Sequence, residues 1–398
     1  MRVLVIGGGA VGAAVALFLK HLGGSGVDVQ VVEQDLSLRQ SSSALSAGSI
    51  RQQFSNAINV RMSRFGHQML ADADAWLGVD GAPVHLGFVP GAYLFCASAA
   101  GAPVLRANQA VQQAAGAQVS LLSPAQAAER FAWLRTDDLA LASLGGSGEG
   151  WFDGEAWARA LGRKARALGA AWQQARVVGF DQQAGRLSAA RLADGRQVGA
   201  DVFVNAAGPG AGALGRLAGL PVPVHARRRT VFAMRCPTRL PPTPLVVDPA
   251  GVWFRSEGEG FIGGWSPGAG DADADTVTAT DTDDLPLAAP DLAQFETRVW
   301  PALAHRVPAF EALRVRHAWA GHYEVHPLDH NALIGPHPGC VNFWLCNGFS
   351  GHGLQHAPAA GRGVAEHLLT GAWQTLDLSA FSPQRVRDGR PFVEQAII

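Results

Sequence analysis

A short apolar strand at residues 3–6 leads directly into a glycine-rich turn at residues 7–12, and this pairing constrains the fold more than any other feature. Four consecutive apolar residues are typical of a buried strand in a parallel sheet. Gly7 allows the tight turn, Gly9 the close approach of a pyrophosphate, and Gly12 the close packing of a following helix. The free N–H groups at the start of that helix favour phosphate. The pattern predicts a Rossmann-like dinucleotide-binding unit.

An acidic residue ends the next strand of this unit. A second strand is predicted over residues 27–32 and is followed by Glu33, and a carboxylate at this position accepts ribose hydroxyls and repels a 2′-phosphate. The alternative is a glycine turn without function, and the glycine pattern alone is weak evidence against it. Because strand, glycines, helix, second strand and acid occur at the expected spacing, the dinucleotide hypothesis is favoured.

Composition limits the class of protein. The chain has 398 residues, of which 48% are hydrophobic and 16% charged, as expected of a globular protein with two domains. The net charge of −1 disfavours nucleic acid as a partner. No apolar run has spanning length, the first strand leaves no room for a signal peptide, and the four cysteines lack metal-like spacing. We therefore expect a cytoplasmic protein without a transmembrane segment.

Periodicity and turn residues predict the local structure along the chain. The predicted elements are helices over 10–22, 56–76 and 155–169, a strand pair over 84–96, a glycine-rich linker over 145–150, long strands over 224–234 and 245–265, and a mobile surface loop over 268–284.

A second glycine motif, Gly-Phe-Ser-Gly-His-Gly, lies near the other end of the chain at residues 348–353. Together with residues 7–12, the serines at 41–43 and the Val-Asn-Ala-Ala-Gly turn at 204–208, it resembles motifs of the D-amino-acid oxidase-like FAD-dependent oxidoreductases. Sarcosine oxidase, glycine oxidase and dimethylglycine dehydrogenase belong to that family. The second motif resembles the loop that closes over the flavin.

Other segments resemble one branch of the family, the FAD-dependent oxidoreductase domain-containing proteins, which includes an assembly factor of mitochondrial complex I. These segments are residues 45–50, 52–55, 299–301, 306–311, 318–321, 351–358 and 397–398. The resemblance covers the whole chain and leaves two classes of function open. One is an FAD enzyme; the other is a flavin-binding assembly or interaction protein with little turnover. It also leaves open a location peripheral to the inner membrane.

The resemblance implies an α/β fold with two domains. A doubly wound, Rossmann-like FAD-binding domain comprises residues 1–83, 146–223 and 320–398. A smaller substrate domain on a mixed β-sheet comprises residues 84–145 and 224–319. The implied FAD-binding residues are Gly7, Gly9, Ala10, Val11, Gly12, Glu33, Gln34, Ser42, Ser43, Ser46, Ala47, Gly48, Val177, Ala207, Gly208, Gly351, His352, Gly353, Leu354 and Gln355.

The implied reaction is oxidation of the C–N bond of an amino acid or secondary amine, by hydride transfer to flavin N5, to an imine that hydrolyses. Arg51, His352 and Tyr323 are the catalytic candidates, and His352 is alternatively a packed histidine that shapes its turn. Arg51, Arg255, His322 and Tyr323 are the substrate candidates, with Arg255 as a bidentate clamp for a carboxylate. The arginines at 227–229 compete for that clamp.

Departures from the family pattern refine this expectation. Gly321 stands where covalent-flavin relatives have a cysteine, so we expect non-covalent FAD. Ile262 and Gln355 stand where oxygen-reactive relatives have lysines, and the chain's only lysines, Lys20 and Lys164, lie in other motifs. A dehydrogenase that passes electrons to an acceptor protein or a quinone is therefore favoured over an oxidase. An NAD-dependent dehydrogenase is disfavoured, because the glycine motif of residues 7–12 occurs only once in the sequence.

A metal site is not expected. His322, His326 and His330 have the four-residue spacing of a helical metal site, but Pro327 interrupts the helix that this spacing requires.

Overall fold

The computed structural model describes residues 1–267 and 290–395. The predicted surface loop at 268–284 and residues 397–398 lie outside the described residues.

The first sheet has six strands, here numbered with all others in chain order. Its strands are β1 (Arg2–Ile6), β2 (Asp28–Glu33), β9 (Ala171–Gln174), β13 (Val202–Asn205), β19 (Leu333–His337) and β20 (Cys340–Asn347). The spatial order is β19-β20-β13-β1-β2-β9, with β19 antiparallel to β20 and all other neighbours parallel. Strand order reverses beside β1, which is where doubly wound sheets bind ligands at the carboxyl ends of their strands.

One face of this sheet packs against helices, and the other packs against the strands at 177–192 and a short helix at Ala211–Leu217. The helices of the chain are α1 (Ala10–Gly23), α2 (Ser42–Leu45), α3 (Ala57–Ala71), α4 (Ala73–Leu77), α5 (Ala102–Ala114), α6 (Pro124–Arg130), α7 (Gly154–Ala167), α8 (Ala211–Leu217), α9 (Trp300–Arg306), α10 (Gly353–Thr370) and α11 (Gln384–Arg387). Short 3₁₀ or π turns occupy Gly24–Gly26, Gly208–Gly210, Phe295–Val299, Pro308–Ala312 and Ser379–Phe381.

Helix α1 is buried between α7 and α10. A Cβ at Gly361 of α10 would lie 2.5 Å from the backbone carbon of Ala14, so the two helices approach closely only because this residue is glycine. The start and end of α1 confirm the helix predicted from the first motif.

The second sheet has eight strands. They are β5 (Tyr93–Ala97), β6 (Val119–Leu122), β7 (Leu141–Gly145), β14 (His225–Arg235), β15 (Leu245–Val247), β16 (Val252–Glu257), β17 (Gly260–Trp265) and β18 (Arg314–Val325). Their order is β18-β14-β17-β16-β15-β5-β7-β6, and β5 and β15 are parallel within an otherwise antiparallel sheet. The long β14–β18 pair ends beside the carboxyl ends of the first sheet's strands.

Two three-stranded sheets complete the fold. One contains β10 (Val177–Gln183), β11 (Arg186–Leu192) and β12 (Gln197–Gly199); the other contains β3 (Ser49–Ile50), β4 (Val89–Gly91) and β8 (Glu149–Trp151). The α/β fold class is confirmed; the domain boundaries stay a prediction.

Three local predictions were wrong. The strand pair over 84–96 does not form, because β4 pairs with β8 while β5 pairs with β7 and β15. The predicted linker at 145–150 contains the end of β7 and the start of β8. The long strand at 245–265 is three strands joined by turns at Gly251 and Gly258, both with positive φ. In each case turn glycines were visible, but strand partners distant in sequence decided the pairing.

No helix within residues 1–267 and 290–395 is long and apolar enough to cross a bilayer.

Candidate functional site

A cavity of about 590 Å³ lies where the carboxyl ends of β1, β2 and β13 meet β14 and β18. Residues of two glycine turns form part of its wall. One turn follows β1 at residues 7–12, and the other follows β20 at residues 348–353. Each turn leads directly into a helix, so two helix N-termini begin at this cavity.

The N-terminal turn tests whether a dinucleotide fits. A Cβ at Gly7, where φ is +105°, would lie 2.2 Å from the carbonyl oxygen of Ala206, and a Cβ at Gly12 would lie 1.9 Å from that of Gly7. A Cβ at Gly9 would meet only the Ser43 hydroxyl, at 3.4 Å. Gly7 and Gly12 are therefore needed for the turn itself. The space beside Gly9 is free for a phosphate, as the motif requires.

Two side chains hold the N-terminal turn in place. Gly8 N–H donates to Glu33 Oε2 at 2.6 Å, and Asp35 N–H donates to Oε1 at 3.0 Å. The Ser43 hydroxyl accepts from the Ala10 N–H at 3.1 Å. Glu33 and Ser43 also line the cavity, so the acid predicted to bind ribose lies beside the turn predicted to bind the pyrophosphate.

The C-terminal loop is built from residues with positive φ. Gly348, Ser350 and Gly351 have φ of 75°, 52° and 97°. A Cβ at Gly351 would lie 2.7 Å from Cε2 of Tyr323, which explains why glycine is required there. Ser350, as a non-glycine residue in this region, is held by its neighbours: its hydroxyl accepts from the His326 N–H at 3.0 Å.

Glu324 lies at the centre of this loop and was missed from the sequence. Its Oε2 accepts from the Gly348 N–H at 3.0 Å, and its backbone carbonyl accepts from Ser350 at 2.9 Å. The carboxyl lines the cavity although Glu324 is only 9% exposed. Burial raises its pKa to about 7, against the effect of hydrogen bonds from the N–H groups of Gly348 and Phe349. Period-two alternation along β18 beside Tyr323 was the only available signal.

The other side of the loop contains a buried cation. The Arg51 guanidinium, 2% exposed, donates to the Gln53 carbonyl and to His352 Nε2 at 3.1 Å. It also lies 3.9 Å from the centroid of the Phe54 ring. The pKa of His352 is held well below its usual value, first by burial and then by Arg51. His352 is therefore a neutral acceptor, and neither residue lines the cavity.

Gln355 joins the same cluster. Its side-chain oxygen accepts from the Arg51 N–H at 2.9 Å and from the Ser63 hydroxyl at 3.0 Å. Gly353 begins α10, as predicted, and Gly353 and Leu354 line the cavity while Gln355 points away from it.

The candidate arginine clamps lie in different places. Arg255 is buried in the second sheet, where it pairs with Glu257, donates to the Ala47 carbonyl at 2.8 Å and lies 4.8 Å from the Trp151 ring. Arg255 does not line the cavity. Arg229 does, and its guanidinium lies 5.9 Å from the Tyr323 ring.

Most of the predicted site residues surround one cavity. Those that line it are Gly7, Gly9, Ala10, Val11, Glu33, Gln34, Ser42, Ser43, Ser46, Ala47, Val177, Ala207, Gly208, His322, Tyr323, Gly351, Gly353 and Leu354. Those that do not are Gly12, Gly48, Arg51, Arg255, His352 and Gln355. Glu324, Arg229 and Cys346 also line it. The individual roles stay predictions.

Sequence comparison agrees with this geometry. The family model for FAD dependent oxidoreductases (DAO) matches residues 2–367, and the chain belongs to this family. It is 38% identical over 431 residues to FAD-dependent oxidoreductase domain-containing protein 1 of Bos taurus, covering all of this chain and 87% of that protein. The family is FAD-dependent, and the glycine cradle, Glu33 and the cavity fit this cofactor.

Comparison with solved structures agrees with this family assignment. L-proline dehydrogenase from P. horikoshii is 25% identical and superposes with a TM-score of 0.83 over 98% of each chain. Glycine oxidase from Geobacillus kaustophilus is 21% identical, with a TM-score of 0.74 over 96% of this chain and 99% of the other. The second likeness shows the fold alone.

Proposed function

We propose that this protein oxidises the C–N bond of an amino acid or secondary amine. The main support is the likeness along the whole chain to an L-proline dehydrogenase, combined with a cavity that is lined by Tyr323 and Arg229. Bound FAD supplies the acceptor for the electrons of the C–N bond. The chain's own residues bind the amine, orient its α-carbon and exclude water.

Arg229 is the candidate in this proposal for binding a substrate carboxylate. Arg229 lines the cavity and its guanidinium lies 5.9 Å from the Tyr323 ring, whereas Arg255 is buried in the second sheet beside Glu257 and does not line the cavity. A guanidinium binds a carboxylate through two parallel N–H donors, so it fixes orientation as well as charge. Tyr323, whose pKa is raised by burial, stays a neutral phenol and can donate a hydrogen bond.

The test is anaerobic reduction of the FAD-loaded protein by pairs of amines that differ only in the carboxylate. L-proline and pyrrolidine form one such pair. We expect bleaching of the flavin absorbance by carboxylate-bearing amines, and none by pyrrolidine at the same concentration. Failure of every amine and amino acid to bleach the flavin would reject this proposal and favour the flavin-binding assembly protein.

A matched pair of variants tests the clamp. Arg229→Met should raise KM for the amino acid by about 30-fold or more, because losing a buried charged hydrogen bond costs about 2–5 kcal/mol. Arg228→Met is the control, since alternation along β14 points this neighbour to the opposite face. Equal KM values for the two variants would remove Arg229 from the site. Arg255→Met, whose charge lies behind the cavity wall, should give the smaller KM change.

We propose further that the enzyme is a dehydrogenase. Ile262, at the position where oxygen-reactive relatives are expected to have a lysine, is 5% exposed and packs in an apolar cluster with Val231 and Ala47. Lys20 donates to the carbonyls of Gly24 and Val27, so its ammonium group lies at the C-terminal end of α1. The cavity wall thus offers no lysine to stabilise superoxide among the described residues.

Stopped-flow reoxidation tests this choice. Without a lysine at position 262, a loss of about 3 kcal/mol in charge stabilisation slows the reaction of the reduced enzyme with oxygen roughly a hundredfold. Reoxidation should therefore be slow with oxygen and fast with an acceptor dye, and Ile262→Lys should accelerate the oxygen reaction. Equally fast reoxidation by oxygen and dye in the unmodified protein would reject the dehydrogenase assignment.

A further inference from the structure

Glu324 connects the two sides of the cavity. A Cβ at Gly353, the first residue of α10, would lie 3.0 Å from its Oε1, and a Cβ at Gly208, in the turn after β13, would lie 4.0 Å from its Oε2. The carboxyl group thus lies between the two turns that extend from neighbouring strands β13 and β20. Backbone N–H groups are its hydrogen-bond partners, and in the described part of the chain it forms no ion pair with an arginine, lysine or histidine.

Two titratable neighbours of Glu324, one on β18 and one on β20, cannot accept a proton. Burial raises the pKa of Tyr323, on the same strand, and of the Cys346 thiol, on β20, so both are already protonated. Across the strand pair, Ala226 lies opposite Glu324 and is flanked by His225 and Arg227. The pKa of His225 is lowered by burial and by Arg227. Because neighbouring residues of a strand point to opposite faces, His225 and Arg227 face away from Glu324.

Apart from His322 and Arg229, which also line the cavity, three further ionisable groups belong to separate clusters. His326, the first residue after β18, is hydrogen-bonded to Asp329 and Arg385. His352, in the loop, faces Arg51 and is held neutral. Glu33, the other carboxylate of the wall, lies at the end of β2 and accepts from Gly8. Glu324 is therefore the carboxyl group placed at the end of the cavity where α10 begins.

We propose that Glu324 is the proton acceptor coupled to reduction of the bound FAD. Its carboxylate takes up one proton from solvent when the cofactor gains two electrons and one proton of its own and so acquires one negative charge, and it returns that proton on reoxidation. One O–H bond forms on Glu324, and the electrons come from the reductant. Two negative charges in a poorly solvated site repel each other, so protonating the carboxylate removes the cost of the new charge.

The pH dependence of the midpoint potential of the holoprotein tests this coupling. Spectroelectrochemical titration of the wild type and Glu324→Gln above pH 7 should show one more proton taken up by the wild type. For each increase of one pH unit, the midpoint potential of the wild type should fall by 29.6 mV more than that of Glu324→Gln. Glu324→Asp should restore the steeper dependence. Equal slopes in the wild type and Glu324→Gln would overturn the proposal.

Glu149 provides a matched control. Burial raises the pKa of this carboxyl to about 7 as well, but it lies off the cavity and accepts from the N–H groups of Gln52 and Tyr93. Glu149→Gln should therefore retain the wild-type slope. A flattened slope in this variant too would mean that any buried acid has the effect, and would also overturn the proposal.

Infrared spectroscopy gives a second readout, which can be obtained from the wild-type protein alone. The reduced-minus-oxidised difference spectrum above pH 7 should show a gain of one protonated-carboxyl band, which Glu324→Gln removes. Absence of that band in the wild type would overturn the proposal even where the variant fails to retain FAD. Because an electrode or dithionite, and never an amine, reduces the protein in these experiments, the outcome is independent of whether an amine is the substrate.

Discussion

The two glycine turns of the cavity occupy equivalent positions but are held differently. Both end a strand of the six-stranded sheet and begin a helix, and their helices α1 and α10 pack together. The turn at 7–12 is fixed by backbone contacts and by Glu33 of the neighbouring strand. The loop at 348–353 is fixed by Tyr323, Glu324 and His326, which come from the second sheet.

This difference shows that the conformation of one turn is fixed by its own sheet, and that of the other by contacts with a second sheet. The first turn receives its side-chain hydrogen bonds from Glu33 and Ser43 of the same N-terminal segment, and Ala206 of the same sheet packs against Gly7. Its glycine spacing is therefore sufficient to define it. The second depends on a strand that must first pair in another sheet. Three residues with positive φ in four positions need that external support, because an isolated segment would not keep this conformation.

The largest effect is expected at Gly12. Gly12→Ala places a Cβ 1.9 Å from the Gly7 carbonyl oxygen, and this backbone atom cannot move without opening the turn. We expect loss of FAD binding and a destabilisation near the upper end of the about 1–3 kcal/mol typical of overpacking. Urea unfolding and flavin absorbance measure both.

Gly9→Val is the companion variant to Gly12→Ala. Because a Cβ at Gly9 meets only the Ser43 hydroxyl at 3.4 Å, the apoprotein should keep its wild-type stability while FAD binding is lost. A wild-type FAD content in either variant would show that the N-terminal turn does not hold the cofactor.

A smaller, rescuable effect is expected at Gly351. Gly351→Ala brings a Cβ to 2.7 Å from the Tyr323 ring at a φ of +97°, and should destabilise the protein by about 2 kcal/mol. Removing the ring with Tyr323→Ala relieves the contact but not the backbone strain. A double-mutant cycle on unfolding free energies should therefore give a coupling of about 1 kcal/mol. Strict additivity would show that the second sheet does not shape this loop.

The effect that is smallest over a single pH unit is in the pH dependence of stability. Because the folded pKa of Glu324, about 7, lies above its unfolded value, the folded state binds more protons between about pH 4.5 and 7. Stability contributed by this group is full at low pH and falls as pH rises through that window. The slope is at most about 1.4 kcal/mol per pH unit. Glu324→Gln should flatten it, measured by urea unfolding of the apoprotein; an unchanged slope would contradict the placement of Glu324.

The same contrast explains what the sequence could predict. The N-terminal motif identified Gly7, Gly9 and Glu33 at the cavity, since these residues belong to one continuous strand-helix-strand segment. The C-terminal motif predicted where the loop lies, but it did not predict which of the loop's residues face the cavity. Gly351 and Gly353 face the cavity, whereas His352 faces Arg51 on the other side.

Residues in the second sheet were the least predictable. Arg255 and Arg229 have the same chemistry, and only strand pairing decides which one reaches the cavity. Glu324 belongs to no motif that we recognised, because its role depends on N–H groups 24 and 25 residues further along the chain. A register difference of one residue on β18 would have exchanged it with Tyr323.

Hydrogen–deuterium exchange of the two turns, in the wild type and in Glu324→Ala with and without FAD, tests this account most directly. We predict that FAD protects the amides of both turns in the wild type. Glu324→Ala should increase exchange at Gly348 and Phe349 in the apoprotein and leave residues 7–12 unchanged. Equal changes at both turns, or none at the C-terminal loop, would contradict the conclusion that the second sheet holds one side of the cofactor cavity.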